Sequence, residues 1–349
     1  MSTAQFLPWQ HQTAQDWLAQ RDRFAHAWLI HGMPGIGKLE FASAAAASLL
    51  CEAPVDQLAC GHCPACTWVA SGNHPDLRRV RPEAVAAQES VASAEDDNAA
   101  AGEGGSAKRA PSKEIRIDQI RALESWFNTA THRGGWRVAL VYPGEALNVI
   151  SANALLKVLE EPPPNTVFLL VADAPDRLLP TLVSRCRRLP LPAPGPAQSL
   201  QWLQEQGVSA APDWLAAAGG APLAALRLAQ SGGQACPPWL ASLLEPLTRG
   251  QAPDIGTLAE GLEKTAPAEW IDTLQRLYTD LMLAAAGAPV RYFPSLARTV
   301  EQVASRANSV RLAEGARWLT QQRRLATHPL SPKLFAHATL QRVAHSCLG

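Results

Sequence analysis

Ala27-Trp28-Leu29-Ile30-His31-Gly32-Met33-Pro34-Gly35-Ile36-Gly37-Lys38-Leu39 is the stretch on which the reading of this chain turns. Residues 27–30 form a short apolar run of buried-strand type, and an Ala-rich helical stretch over 40–50 follows the glycines. A strand, a glycine-rich turn and a helix in that order open an α/β phosphate-binding unit. Residues 32–38 fit G-x-x-x-x-G-K: the glycines let backbone N–H groups curl around phosphates, and Lys38 would neutralise their charge. Gly32, Pro34, Gly35, Gly37 and Lys38 are therefore the candidate nucleotide-binding residues. The bland alternative is a glycine-rich turn that binds nothing. Leu39 stands where Ser or Thr should hold Mg²⁺. A second strand should also end in an acid that positions water, but it ends Val141-Tyr142-Pro143-Gly144-Glu145, with Glu145 three residues too late. Binding of ATP or ADP stays open, and hydrolysis is not expected.

Outward from the loop, apolar runs at 138–142 and 166–172 read as buried strands, and 118–130 and 151–161 as helices. Helices alternating with continuous apolar strands predict a parallel sheet covered on both faces. The proline-rich stretch 190–196 reads as a domain boundary. Beyond it only Ala/Leu-rich helices are expected, over 200–206, 214–218, 223–230, 270–286 and 313–325. Residues 83–113 contain ten alanines and no aromatic residue, too little to bury against the cost of ordering, so a disordered surface insertion is expected there.

With 31 basic and 31 acidic residues in 349, the chain is not a protein that binds nucleic acid by bulk charge. The first residues lack a charged segment followed by an apolar one, and no run approaches the length of a membrane span, so a cytoplasmic protein is expected. Four of the seven cysteines, Cys51, Cys60, Cys63 and Cys66, fall within sixteen positions. In a reducing compartment that clustering points to metal rather than disulfides, and four thiolates suit a tetrahedral structural zinc. An iron–sulfur cluster is the weaker alternative, and His62 and His74 are competing ligands. Ser184-Arg185-Cys186-Arg187-Arg188 is either a solvated basic turn or an arginine presented to phosphate.

Taken together, the loop at 32–38, the four cysteines, the string Asn153-Ala154-Leu155-Leu156-Lys157-Val158-Leu159-Glu160-Glu161-Pro162-Pro163 and the Ser184-Arg185-Cys186 turn resemble the clamp-loader branch of the AAA+ family, and within it the delta-prime type. The resemblance covers about residues 8–193, apart from the insertion. It implies an α/β AAA+ P-loop domain over 1–193 with an inserted zinc module at about 51–74, a small helical lid over 194–234, and an all-α collar over 235–349. It also implies a heteropentamer with delta and gamma/tau subunits, which acts on the sliding clamp and primer–template DNA and associates with the nucleoid through the replisome. In that family the delta-prime type does not hydrolyse ATP, so the chain would be no enzyme on its own. Its Ser-Arg-Cys arginine, here Arg185, reaches in trans into the ATP site of the neighbouring gamma/tau subunit. Hydrolysing members carry Asp-Glu where this chain has Tyr142-Pro143, Thr where Ala172-Asp173 stands, and a lid Arg near Pro222. The alternative, a self-sufficient P-loop ATPase of gamma/tau type, conflicts with these departures.

Overall fold

Helix α1 (His11–Leu18) leads into strand β1 (Ala27–His31), the glycine loop and helix α2 (Lys38–Leu50). The chain then forms α3 (Pro64–Ala70), β2 (Leu77–Val80), α4 (Glu83–Ala94), α5 (Ile117–Phe127) and β3 (Arg137–Val141). It continues through α6 (Val149–Glu160), β4 (Thr166–Ala172), α7 (Pro180–Val183) and β5 (Arg187–Pro190). The computed structural model describes residues 5–94, 110–127, 129, 131, 132, 134–326 and 331–348. Two compact units divide the chain, residues 1–194 and 195–349.

In the first unit the strands form one parallel sheet in the order β2-β3-β4-β1-β5. Every residue of β3 and β4 is buried, which is why their sequences run apolar without alternation. Leu29, Phe168 and Leu170 join Leu123, Leu155 and Leu182 of α5, α6 and α7 in one core. Trp28 turns to the other face, where its ring meets Trp17 of α1 edge-on at 5.5 Å and Arg187 lies over it. Helices thus cover both faces. The fold of this unit is a five-stranded parallel α/β sheet layered between helices. Strands β2 and β5 carry too many arginines to read as strands in sequence; they are edge strands, where charged side chains reach water.

The insertion expected over 83–113 is corrected at its start, which is helix α4. The Glu83 carboxylate accepts the Ser112 N–H at 3.1 Å and pairs with Arg116 at 2.9 Å, while Ala84 N–H donates to Ser112 O at 3.0 Å. Alanine loses no side-chain entropy in a helix, so a composition with little to bury still coils once its first turn is tied. The rest of the expectation, residues 95–109, lies outside the described residues.

The second unit has no strand among its described residues. Helices α8 (Pro196–Glu205), α9 (Ala211–Ala217) and α10 (Pro222–Gln230) pack on one another. Helices α11 (Pro238–Thr248), α12 (Ile255–Leu262), α13 (Pro267–Ala285), α14 (Ala297–Arg306), α15 (Ser309–Leu325) and α16 (Pro332–Cys347) share a core centred on α13. From α13, Trp270, Ile271, Leu274, Leu277, Tyr278 and Leu281 are buried. Each contributes about 1.5–3 kcal/mol, far above the few tenths per residue of helix propensity, so packing holds this helix. A Cβ on Gly315 of α15 would come within 2.6 Å of the Tyr278 hydroxyl, so the glycine permits the close approach of these two helices. The fully buried Asp280 carboxylate accepts the N–H groups of Arg291, Tyr292 and Phe293, fixing the turn after α13.

Candidate functional site

Parallel pairing of β1 with β4 sets His31 opposite Ala172, so the loop that follows β1 and the residue that follows β4 emerge side by side. In the loop, Gly35 and Gly37 adopt φ of +78° and +92°, which β-carbon-bearing residues resist. A Cβ on Gly32 would lie 2.6 Å from Leu191 O. Pro34 is exposed at the loop's tip. From the segment before α1, Trp9 Nε1 donates to Ile36 O at 2.9 Å and Gln10 Nε2 to Gly37 O at 2.7 Å. Lys38 opens α2 with its side chain only 3% exposed. Its ammonium donates to Gly32 O at 2.8 Å and Met33 O at 2.7 Å, and pairs with Asp173 Oδ1 at 2.5 Å.

The acids of this region are turned to other work. At the end of β3, the buried Tyr142 donates its hydroxyl to Glu89 Oε1 at 2.7 Å; burial, then Glu89, raises its pKa. Glu145 Oε1 accepts the N–H groups of Asp173 and Ala174 at 2.6 and 2.7 Å. In sequence Asp173 marks only a departure from the hydrolysing type; the structure adds its contact with Lys38. The signal was the adjacency of 32 and 173, visible only once β1 and β4 are known to pair.

The four cysteines converge. Their Sγ atoms all lie within 4.8 Å of one another, with Cys51–Cys63 at 3.8 Å and Cys60–Cys66 at 4.0 Å. A tetrahedron of sulfurs about 2.3 Å from a metal has edges of roughly 3.8 Å, so the set could hold one metal ion. Local structure aims the thiols. Cys63 caps α3, its sulfur accepting the Cys66 N–H, and Pro64 starts the helix with a φ already suited to it. The Cys60 N–H donates to Cys51 Sγ at 3.3 Å. Backbone N–H donation from His62, then from Cys63, holds the Cys60 thiol down to about 6. Burial raises Cys51 and Cys66. Against burial, the N–H groups of Cys66 and Glu52 keep Cys63 below its ordinary value. Neither histidine joins the sulfurs: His62 Nδ1 lies 2.8 Å from Cys60 O, and His74 Nδ1 accepts the Asp76 N–H.

In the turn between α7 and β5 the side chains divide. Cys186 is buried, its thiol pushed up to about 12 by burial, while Arg185 is 37% exposed. The Arg185 guanidinium donates to Thr181 O at 3.0 Å and to Glu160 Oε1 at 2.5 Å. Glu160 ends α6 inside the Leu-Glu-Glu-Pro-Pro string, so the structure joins two motifs that sequence alone kept apart.

The family described as "DNA polymerase III, delta subunit" matches residues 10–194, more than half of the chain. A Yersinia pestis protein named DNA polymerase III subunit delta' is 32% identical over 81% of this chain and 78% of its own length. The chain belongs to the delta-prime family of DNA polymerase III subunits. A Pseudomonas aeruginosa protein of the same name is 41% identical, with the match covering 64% of this chain and 62% of that protein. A Bacillus subtilis DNA polymerase III subunit tau is 30% identical over 51% of this chain and 26% of its own length. No helix among the described residues is long and apolar enough to cross a membrane.

Proposed function

We propose that this chain is the non-hydrolysing delta-prime subunit of a DNA polymerase III clamp loader. In this reading it assembles with delta and gamma/tau subunits, helps load the sliding clamp onto primed DNA, and supplies Arg185 in trans to the ATP site of the adjacent gamma/tau subunit. Residues 194–234 would form the lid and 235–349 the collar. The observation that carries the reading is the contrast between its two phosphate-directed cations. Lys38 is buried and fully occupied beside a loop without Ser or Thr at 39, whereas the Arg185 guanidinium stands at the surface. A guanidinium offered to a neighbour's transferring phosphoryl group stabilises charge as it develops, and such arginines are worth roughly 10³–10⁵ in rate. The four thiolates would hold a zinc ion. With four protein ligands it has no open position, so its contribution is to tether the excursion between α2 and β2.

The test is ATP turnover by the chain alone and by a complex reconstituted with gamma or tau, delta, clamp and primed DNA. The isolated chain is expected to be inactive, and Arg185→Ala to slow the complex without blocking assembly. Turnover by the isolated chain would favour the gamma/tau-type ATPase instead.

A further inference from the structure

The loop that the sequence marks for phosphate is closed by the chain's own carboxylate. We infer that Asp173 determines whether this loop takes a nucleoside di- or triphosphate. A lysine ammonium has three N–H donors and no acceptor. On Lys38 all three are engaged, by Gly32 O, Met33 O and Asp173 Oδ1, inside a pocket that leaves the side chain 3% exposed. An incoming phosphate therefore meets no free donor on Lys38 until Asp173 leaves.

Asp173 is held there by backbone rather than by chance. The β1–β4 register delivers it beside the loop after β1, and the Glu145 carboxylate accepts the N–H groups of Asp173 and Ala174. Its carboxylate places a negative charge where a phosphate oxygen would sit, so it both occupies the cation and repels the ligand. The Asp173 side chain is 55% exposed, which makes the pair a barrier a ligand must displace rather than a sealed core contact. The loop itself keeps the left-handed glycines of a phosphate cradle. What separates it from a working site is thus one side chain that closes it, in addition to the missing metal-binding groups.

This inference rests on the proposed reading of the loop as unused, and it is separable from the role of Arg185, which only turnover of the assembled complex reports. The experiment is titration of the full-length chain with a fluorescent methylanthraniloyl ADP and with a slowly hydrolysed ATP analogue, each with Mg²⁺. The proteins are the natural chain, Asp173→Asn, Asp173→Ala, and Asp173→Ala combined with Lys38→Ala. Melting temperature and metal content report folding, and the near-isosteric Asn variant carries the test if the Ala variant fails to fold. We expect weak binding by the natural chain, at least tenfold tighter binding once the carboxylate is gone, and loss of that gain in the double variant. Equal affinity of the natural chain and Asp173→Asn would overturn the inference. So would a failure of every variant to bind, or a gain that survives without Lys38.

Discussion

Lys38 follows β1 and Arg185 precedes β5, two paired strands of one sheet, yet their surroundings are opposite. Lys38 is buried against two fixed carbonyls and a carboxylate; Arg185 is at the surface, tied to one side chain and one carbonyl. A cation whose donors are all satisfied by its own chain is structural, because releasing it exposes unpaired groups in a poorly solvated place. A cation held at the surface by one exposed carboxylate changes partners at little cost. On the proposed reading, the lysine of the P-loop signature is a structural cation, and Arg185 is the one available to a neighbour.

That contrast predicts that removing inward, saturated polar groups costs stability, while removing outward ones changes function alone. The four-sulfur cluster is the extreme of the first kind. Stripping metal with a chelator, or Cys63→Ser, is expected to lower the melting temperature of the α/β unit by on the order of 10 °C or more, read by calorimetry with metal analysis. Unchanged melting and metal content would break the contrast at its strongest point. In the metal-free protein the Cys60 thiol lies below its unfolded value of 9.0, at about 6. Its thiolate thus favours the folded state in full above pH 9, and that contribution is lost as pH falls through about 6. Metal loading measured from pH 5 to 8 should fall in the same direction, because protons compete for the ligand.

Asp280 extends the comparison to the second unit as a buried charge saturated by backbone N–H groups. Asp280→Ala strips these N–H groups of their acceptor and is expected to cost about 1–3 kcal/mol for each donor left unpaired, seen as a lower denaturant midpoint for that unit. At the small end, Glu160→Gln removes the surface partner of Arg185 and should change stability by less than about 1 kcal/mol. A loss as large as that of Asp280→Ala would place Arg185 among the structural cations and remove the distinction.

Much of this was legible in sequence, for reasons that also explain the gaps. The stretch 27–39 declared strand, loop and helix because buried strands read as apolar runs and a phosphate loop needs its glycines. Cys51 to Cys66 declared a cluster because ligand spacing is local. Strand β2 was hidden by Arg78 and Arg79, and β5 by Arg187 and Arg188, since an edge position tolerates charge that pattern reading takes for loop. Helix α4 was read as disorder because composition reports burial, whereas its first turn is tied by Ser112, 29 positions away from Glu83. The partners of the candidate site residues are the least legible: Asp173 meets Lys38, and Glu160 meets Arg185, only through packing between separate elements.

The most direct test of the central claim pairs the two cations in one assay. Single-turnover ATP hydrolysis would be followed in the loader reconstituted with gamma or tau, delta, clamp and primed DNA, with this chain carrying either Lys38→Ala or Arg185→Ala. The account predicts that Arg185→Ala slows hydrolysis at the site it serves by at least about tenfold, while Lys38→Ala, once assembled, leaves the rate where the natural chain sets it. Slowing by Lys38→Ala with Arg185→Ala unaffected would contradict it.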